Sequence, residues 1–211
     1  MTTRIGILSD VHATVAPAKE ALAIFKKNKV EMILCAGDLA GYGEELEETV
    51  ELFKGIDCEI IQGNHDAWYL DSRAGQNETP ASKFLDQLPL AREFTIEGKR
   101  LYLVHGSPGQ PLTGGIRLLD EYGEILPELR AQWQENLRGF AFDVLIVGHT
   151  HQVFAEKLGN TWVISPGSIK FNHTCGILTL PDLTFEVLPL SGKTPLKAWN
   201  WEVFRRSSLT G

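Results

Sequence analysis

Five times along this chain a short apolar run breaks off at side chains that can bind a metal ion or move a proton. Ile5-Gly6-Ile7-Leu8 leads into Ser9-Asp10-Val11-His12, Met32-Ile33-Leu34-Cys35 into Ala36-Gly37-Asp38, and Ile60-Ile61-Gln62 into Gly63-Asn64-His65-Asp66. Leu101-Tyr102-Leu103-Val104 ends at His105-Gly106, and Val144-Leu145-Ile146-Val147 at Gly148-His149-Thr150-His151. Uninterrupted apolar runs of this length suit strands covered on both faces, and open α/β sheets hold ligands just beyond the carboxyl ends of their strands. The pattern predicts an α/β fold in which five strands deliver ligand-type residues to one edge.

The chain between these runs reads as βαβ units first and hairpins later. Residues 4 to 8 are predicted as a strand and residues 16 to 28 as its crossover helix, with Ala21, Leu22, Ile24 and Phe25 as the apolar stripe. An acidic helix is expected from about residue 44 to 54, with Leu46, Val50 and Phe53 inward. Its carboxylates suit a helix start and a solvated face better than a metal site. Residues 68 to 89 read as a loop before a short helix at 81 to 87, and residues 92 to 102 as a hairpin. Beyond 116 a helical region is expected, interrupted at Gly123 and Pro127, with Leu129, Trp133 and Leu137 facing inward. Two further hairpins follow, turning at Gly159-Asn160 and Pro181-Asp182. The last twenty or so residues, with Trp199, Trp201, Arg205 and Arg206, are expected to pack as an edge strand or to fray.

Composition narrows the class. With 211 residues, 43% hydrophobic and 22% charged, one domain spanning residues 1 to 211 is expected. A net charge of -7 disfavours nucleic-acid binding, which usually shows as a basic face. No apolar run approaches membrane-spanning length and the N-terminal residues do not read as a signal sequence, so a cytoplasmic protein without membrane attachment is expected. Cys35, Cys58 and Cys175 read as reduced packing residues rather than nucleophiles.

The five polar clusters in order, Asp10-x-His12, Gly37-Asp38, Gly63-Asn64-His65-Asp66, His105-Gly106 and Gly148-His149-x-His151, take in five of the six histidines. His173 belongs to none of them. The ordered set resembles the calcineurin-like metallophosphoesterases, and it spans residues 10 to 151, with the later hairpins suiting that family's second sheet. The resemblance implies a two-sheet αββα sandwich. It also implies that Asp10, His12 and His151 bind one metal, that Asn64, His105 and His149 bind another, and that Asp38 bridges them. His65 would then assist the leaving group or stabilise the transition state. Asp66 would either orient His65 or cap the turn that follows. Imidazole, carboxylate and amide donors without thiolate suit divalent transition metals, manganese first and iron, zinc or nickel as alternatives. Two such ions about 3.5–4 Å apart can activate a shared water for in-line attack on phosphorus, with no protein nucleophile.

One departure guides the choice of branch. Phosphoprotein phosphatases continue the second cluster with Asp-Arg-Gly, whereas Asp38 is followed by Leu39-Ala40-Gly41-Tyr42-Gly43. This favours the compact bacterial and archaeal phosphodiesterase-like branch, acting on a small phosphodiester or nucleotide. The alternatives are a phosphomonoesterase or protein phosphatase, and a non-catalytic metal-binding scaffold. Arg73, Lys83 and Arg117 are candidate phosphate contacts from the loops near 39 to 43, 67 to 80 and 106 to 123, where selectivity is expected to arise. The oligomeric state is left open, with the C-terminal tryptophans available to cover an interface.

Overall fold

The computed structural model describes residues 1–199, so the expectation for Trp201, Arg205 and Arg206 lies outside the described residues. In chain order the first elements are β1 (Thr3–Leu8), α1 (Val15–Lys27), β2 (Met32–Cys35), α2 (Leu46–Lys54), β3 (Glu59–Ile60), α3 (Asn64–Ser72) and α4 (Pro80–Asp86). There follow β4 (Ala91–Ile96), β5 (Lys99–Val104), α5 (Pro127–Asn136), β6 (Val144–Ile146), β7 (Val153–Leu158), β8 (Thr161–Pro166), β9 (Thr174–Leu180) and β10 (Thr184–Pro189). They form two five-stranded mixed sheets, ordered β10-β9-β1-β2-β3 and β4-β5-β6-β8-β7. In the first sheet β1, β2 and β3 are parallel, and in the second β5, β6 and β8 are parallel, with antiparallel strands at the remaining positions.

The alternation of side chains along each strand divides the apolar residues between layers. Ile5, Ile7 and Leu34 from the first sheet meet Leu101, Leu103, Val144 and Ile146 from the second in a core between the sheets. Leu8 and Cys35 point the other way, into a core with Phe25 of α1 and Phe53 of α2. Val104, Leu145 and Val147 likewise face a third core with Leu137 just beyond α5. Each parallel strand is therefore covered on both faces, which is why its sequence reads as an unbroken apolar run. The result is the expected αββα sandwich. Two of the thiols, Cys35 and Cys175, are fully buried, and burial pushes the Cys175 thiol up to about 12.

Two expectations need correction. Residues 68 to 72 belong to helix α3 (Asn64–Ser72), not to the expected loop, because Gly63 is extended and Asp66 turns back to accept a hydrogen bond from the Gly63 amide at 2.9 Å, closing half of a capping box. Residues 116 to 126 are not helical: Leu119 bridges Ile125 around a turn that holds Gly123, and helix begins only at Pro127, in the first position where proline is tolerated. Among the described residues no helix is long and apolar enough to cross a membrane.

Candidate metal centre

All the expected residues emerge from the carboxyl ends of parallel strands. Asp10 and His12 follow β1, Asp38 follows β2, Asn64 and His65 follow β3, His105 follows β5, and His149 and His151 follow β6. Because both sheets turn the same edge toward this point, residues 139 and 141 positions apart in sequence become neighbours. The turns are tight. Asp10, His12, Asp38, His149 and His151 all have positive φ, between 49° and 67°, a left-handed conformation that costs an L-residue roughly 1 kcal/mol or more. The strain is held by backbone bonds across the edge: Asp10 donates its N–H to Gly37 at 3.0 Å and His12 to Asp38 at 2.9 Å.

The first group comprises Asp10, His12 and His151. His12 Nδ1 lies 3.1 Å from the Ala40 carbonyl, which fixes its proton on that nitrogen and leaves Nε2 a bare lone pair. That lone pair faces His151 Nε2 at 3.0 Å, and His151 Nε2 is 3.1 Å from Asp10 Oδ1. The second group repeats the logic. His105 Nδ1 is tied to the Ala36 carbonyl at 2.6 Å, so its Nε2 faces Asn64 Oδ1 at 2.9 Å and Asp38 Oδ2 at 3.3 Å. His149 Nδ1 completes it, 2.7 Å from Asn64 Oδ1. Asp38 sits between the groups, its Oδ1 accepting from the His65 amide at 2.8 Å at the start of α3. Gly63 permits this approach, since a Cβ there would collide with the Asp38 carboxylate and amide.

Acceptors and lone pairs thus converge on two points with too few protons to satisfy them. A proton on one ring relieves one contact, whereas a cation accepts from the whole group, so the donors present fit divalent metal ions. Three sets bring candidate ligand atoms within 4.8 Å of one another: Asp10, His12 and His151; Asp10, Asp38 and His105; and His12, Asp38 and His65. The electrostatics agree. Burial works against a charge on Asp10, yet His151, His105 and His12 beside it hold the carboxyl well below its usual range. For His105 burial also opposes charge, and the neighbouring Asp38 and Asp10 carboxylates overcome it to raise the imidazole to about 10. That is demand for positive charge at this position.

His12 and His149 go the other way, lowered to about 4, by burial first in both. A depressed folded-state pKa keeps a histidine neutral, so the stability these two contribute is present above about pH 6.5 and lost as pH falls through about 4. Their lone pairs stay available over the same range. The stability of the metal-free protein should therefore fall as pH drops from about 6.5 to about 4, as followed by thermal melts. A melting temperature that does not fall over that range would contradict this electrostatic picture.

His65 stands beside the first group, its ring 5.0 Å from that of His12 and half-buried, with burial lowering its pKa against the opposing pull of Asp38 and Asp10. Asp66 does not orient it. Both Asp66 oxygens are taken by backbone amides, of Asp38 at 3.0 Å, Gly63 at 2.9 Å and Ala40 at 2.7 Å, so this buried carboxylate staples the Asp38 loop to α3. Of the candidate phosphate contacts, Arg73 donates to the Asn77 carbonyl and Lys83 pairs with Glu78, while Arg117 is exposed. His173 lies in the loop before β9, outside both groups.

Sequence reasoning missed the supports. Ser168 Oγ donates to the Asp10 carbonyl at 2.7 Å, and Asn172 Nδ2 donates to the His151 carbonyl at 2.9 Å, so a buried loop after β8 fixes two strained residues from behind. The Trp199 amide also donates to the His151 carbonyl, at 3.0 Å, and the rings of His151, Phe171 and Trp199 are stacked in turn at 5.1 and 5.0 Å.

A family model described as the calcineurin-like phosphoesterase superfamily domain matches residues 3–181. The chain is 31% identical over 166 residues to a protein of Methanothermobacter thermautotrophicus named "Probable metallophosphoesterase", covering 78% of this chain and 76% of that one. It is 23% identical over 178 residues to a protein of Methanocaldococcus jannaschii named as a phosphodiesterase, covering 83% and 87%. Among solved structures, a metallophosphoesterase from Sphaerobacter thermophilus superposes with a TM-score of 0.65 at 22% identity over 90% of each chain.

Proposed function

The chain belongs to the calcineurin-like phosphoesterase superfamily, and on that premise we propose that it hydrolyses a small phosphodiester or nucleotide at a centre of two divalent metal ions. The observation that carries this reading is the convergence of two groups of imidazole, carboxylate and amide donors around Asp10 and Asp38. Asp10, His12 and His151 would hold one ion and Asn64, His105 and His149 the other, with Asp38 shared. Manganese is the first candidate, with iron, zinc or nickel compatible with the same donors. When bound, two such ions lower the pKa of a water between them and neutralise charge on the phosphoryl oxygens.

The chain's own residues supply the rest. Two carboxylates against two divalent charges leave the centre at about +2, so an anionic ester is drawn into a protein of net charge -7. Asp38, fixed by the His65 and Asp66 contacts, keeps both groups in register. His65 presents a ring N–H to the departing ester oxygen. No cysteine serves as nucleophile, since burial raises all three thiols above their usual range.

A diester is favoured over a phosphoprotein by the Asp38 loop. Where phosphoprotein phosphatases continue with Asp-Arg-Gly, this chain has Leu39-Ala40-Gly41-Tyr42-Gly43, with no arginine and no further acid, and the Ala40 backbone is committed to His12 and Asp66. Residues 1 to 211 are read as one domain, because the seven candidate ligands are drawn from both sheets around a shared core. Unpaired cysteines support a reducing, cytoplasmic setting.

The test is turnover of bis(p-nitrophenyl) phosphate by protein stripped of metal and reloaded. Manganese-loaded protein should hydrolyse it faster than p-nitrophenyl phosphate. Absence of turnover with manganese, iron, zinc and nickel would remove the hydrolase reading, and metal retention without turnover would point instead to a protein-binding scaffold.

A further inference from the structure

A cleft of about 610 Å³ opens beside His149, the least buried of the seven candidate ligands. Small-molecule sites span about 300–1,000 Å³. Gly114 and Gly115 form its near wall, and a Cβ on Gly115 would lie 2.6 Å from His149 Cδ2, so the cleft begins at the ligand itself. Ser107 and Gln110 line it from the loop after β5, where they exchange backbone hydrogen bonds of 3.0 and 3.1 Å. Trp133 and Asn136, one turn apart on α5, line the other side. Among the described residues that form the cleft none is ionisable, whereas other clefts carry Arg117 with Asp120 and Glu121, or Glu135 with Arg138. Ser107 is 3% exposed, yet its hydroxyl takes no hydrogen bond among the described residues. A buried hydroxyl is costly to leave unpaired, and this one lines the cleft, so its partner is whatever enters there.

The side chains of Gln110 and Asn136 are likewise uncommitted among the described residues. Hydroxyls and amides both donate and accept, which matches the hydroxyl groups of a sugar, and the half-buried Trp133 offers an apolar ring to its C–H face. A carboxylate or phosphate on the incoming group would meet no cation in this cleft, and an ammonium no carboxylate. Direction follows from His65, which stands with the first donor group beside His12, whereas the cleft opens from His149 in the second. The oxygen that departs past His65 and the group held in the cleft therefore belong to different arms of the ester. We propose that this cleft binds a neutral sugar arm, the one that stays on phosphorus after hydrolysis, with Ser107 and Trp133 as specificity-determining residues. The proposal rests on the phosphoesterase reading of the adjoining centre and goes beyond it in naming what the substrate carries.

The test gives the full chain, loaded with manganese, p-nitrophenyl phosphodiesters that share a leaving group and differ in the retained arm: glucose joined through its 6-oxygen, ethyl, choline and thymidine. The oxygen of water joins phosphorus, the bond to the p-nitrophenyl oxygen breaks, and p-nitrophenolate leaves with glucose 6-phosphate as the other product. The glucose ester should show a kcat/KM about tenfold above the ethyl ester. Ser107→Ala and Trp133→Leu should each lower that ratio by about three- to tenfold, the loss of one hydrogen bond or ring contact, through a higher KM and with metal content retained. Asn136→Ala, at an exposed position, should move the ratio the same way and serves if Trp133→Leu does not fold. By calorimetry, glucose 6-phosphate should bind the loaded chain about tenfold more tightly than ethyl phosphate, and Ser107→Ala should remove most of the difference. Equal turnover and equal binding of the glucose and ethyl compounds overturn the proposal and leave the hydrolase reading in place. A preference for the choline or thymidine ester overturns the neutral-sugar assignment. Ser107-dependent binding of glucose 6-phosphate without turnover of any ester would overturn the hydrolase reading and leave the sugar cleft standing.

Discussion

Asp38→Asn should empty the metal centre while leaving the protein folded. The side chain keeps its shape, and its amide oxygen still accepts from the His65 N–H, so the loop retains its hold on α3. What is lost is the charge beside His105 Nε2, 3.3 Å away, and the atom placed to serve both donor groups. Loss of an outer partner already weakens metal binding by about 10–100-fold, and loss of a shared carboxylate should exceed about 100-fold. Turnover should fall in parallel. In the metal-free variant the His105 imidazole, raised to about 10 in the native chain by Asp38 and Asp10 against its burial, should titrate well below that value. Elemental analysis, a thermal melt and histidine NMR titration read the three effects separately. Full metal content in the folded variant would mean that Asp38 is not a shared ligand.

His65→Ala and His65→Asn should separate metal binding from turnover. His65 comes within reach of His12 and Asp38 but is not one of the seven residues expected to hold the ions, so both variants should keep their metal. The rate should drop by about 10²–10⁴-fold, the span expected when a positioned donor to a leaving group is removed. Burial pulls the His65 pKa below its ordinary value, so the ring is neutral at and above pH 7 and acts through its N–H rather than as a free imidazolium. The fractional loss should then be constant from pH 7 to 9. A deficit that grows toward acid pH would instead identify proton transfer from a charged ring, and an unchanged rate would remove His65 from the reaction.

These outcomes depend on features that differ in how visible they are from sequence. The parallel strands were legible because burial on both faces leaves no polar residue within them, as in Val144-Leu145-Ile146, and the candidate ligands were legible because each follows such a run within a few residues. Helix α3 was not. It is capped by a glycine, and its stabilising acid, Asp66, also serves the Asp38 and Ala40 amides 28 and 26 residues away, a relation that no local pattern encodes. The segment from 116 to 126 misled for the opposite reason: its apolar residues, Ile116, Leu118 and Leu119, are buried at intervals that suit a helix, but they reach the core from a turn. Ser168 and Asn172 were invisible as supports, because each acts on a distant carbonyl, the first across 158 positions, and a backbone acceptor leaves no mark on sequence.

The central claim is that two ions share Asp38 between donor groups that each draw on both sheets. Anomalous diffraction from crystals of the manganese-loaded protein tests it most directly. The account predicts two peaks, one enclosed by Asp10, His12 and His151, the other by Asn64, His105 and His149, with the Asp38 carboxylate touching both. A single peak, or peaks lying away from these seven side chains, would contradict it.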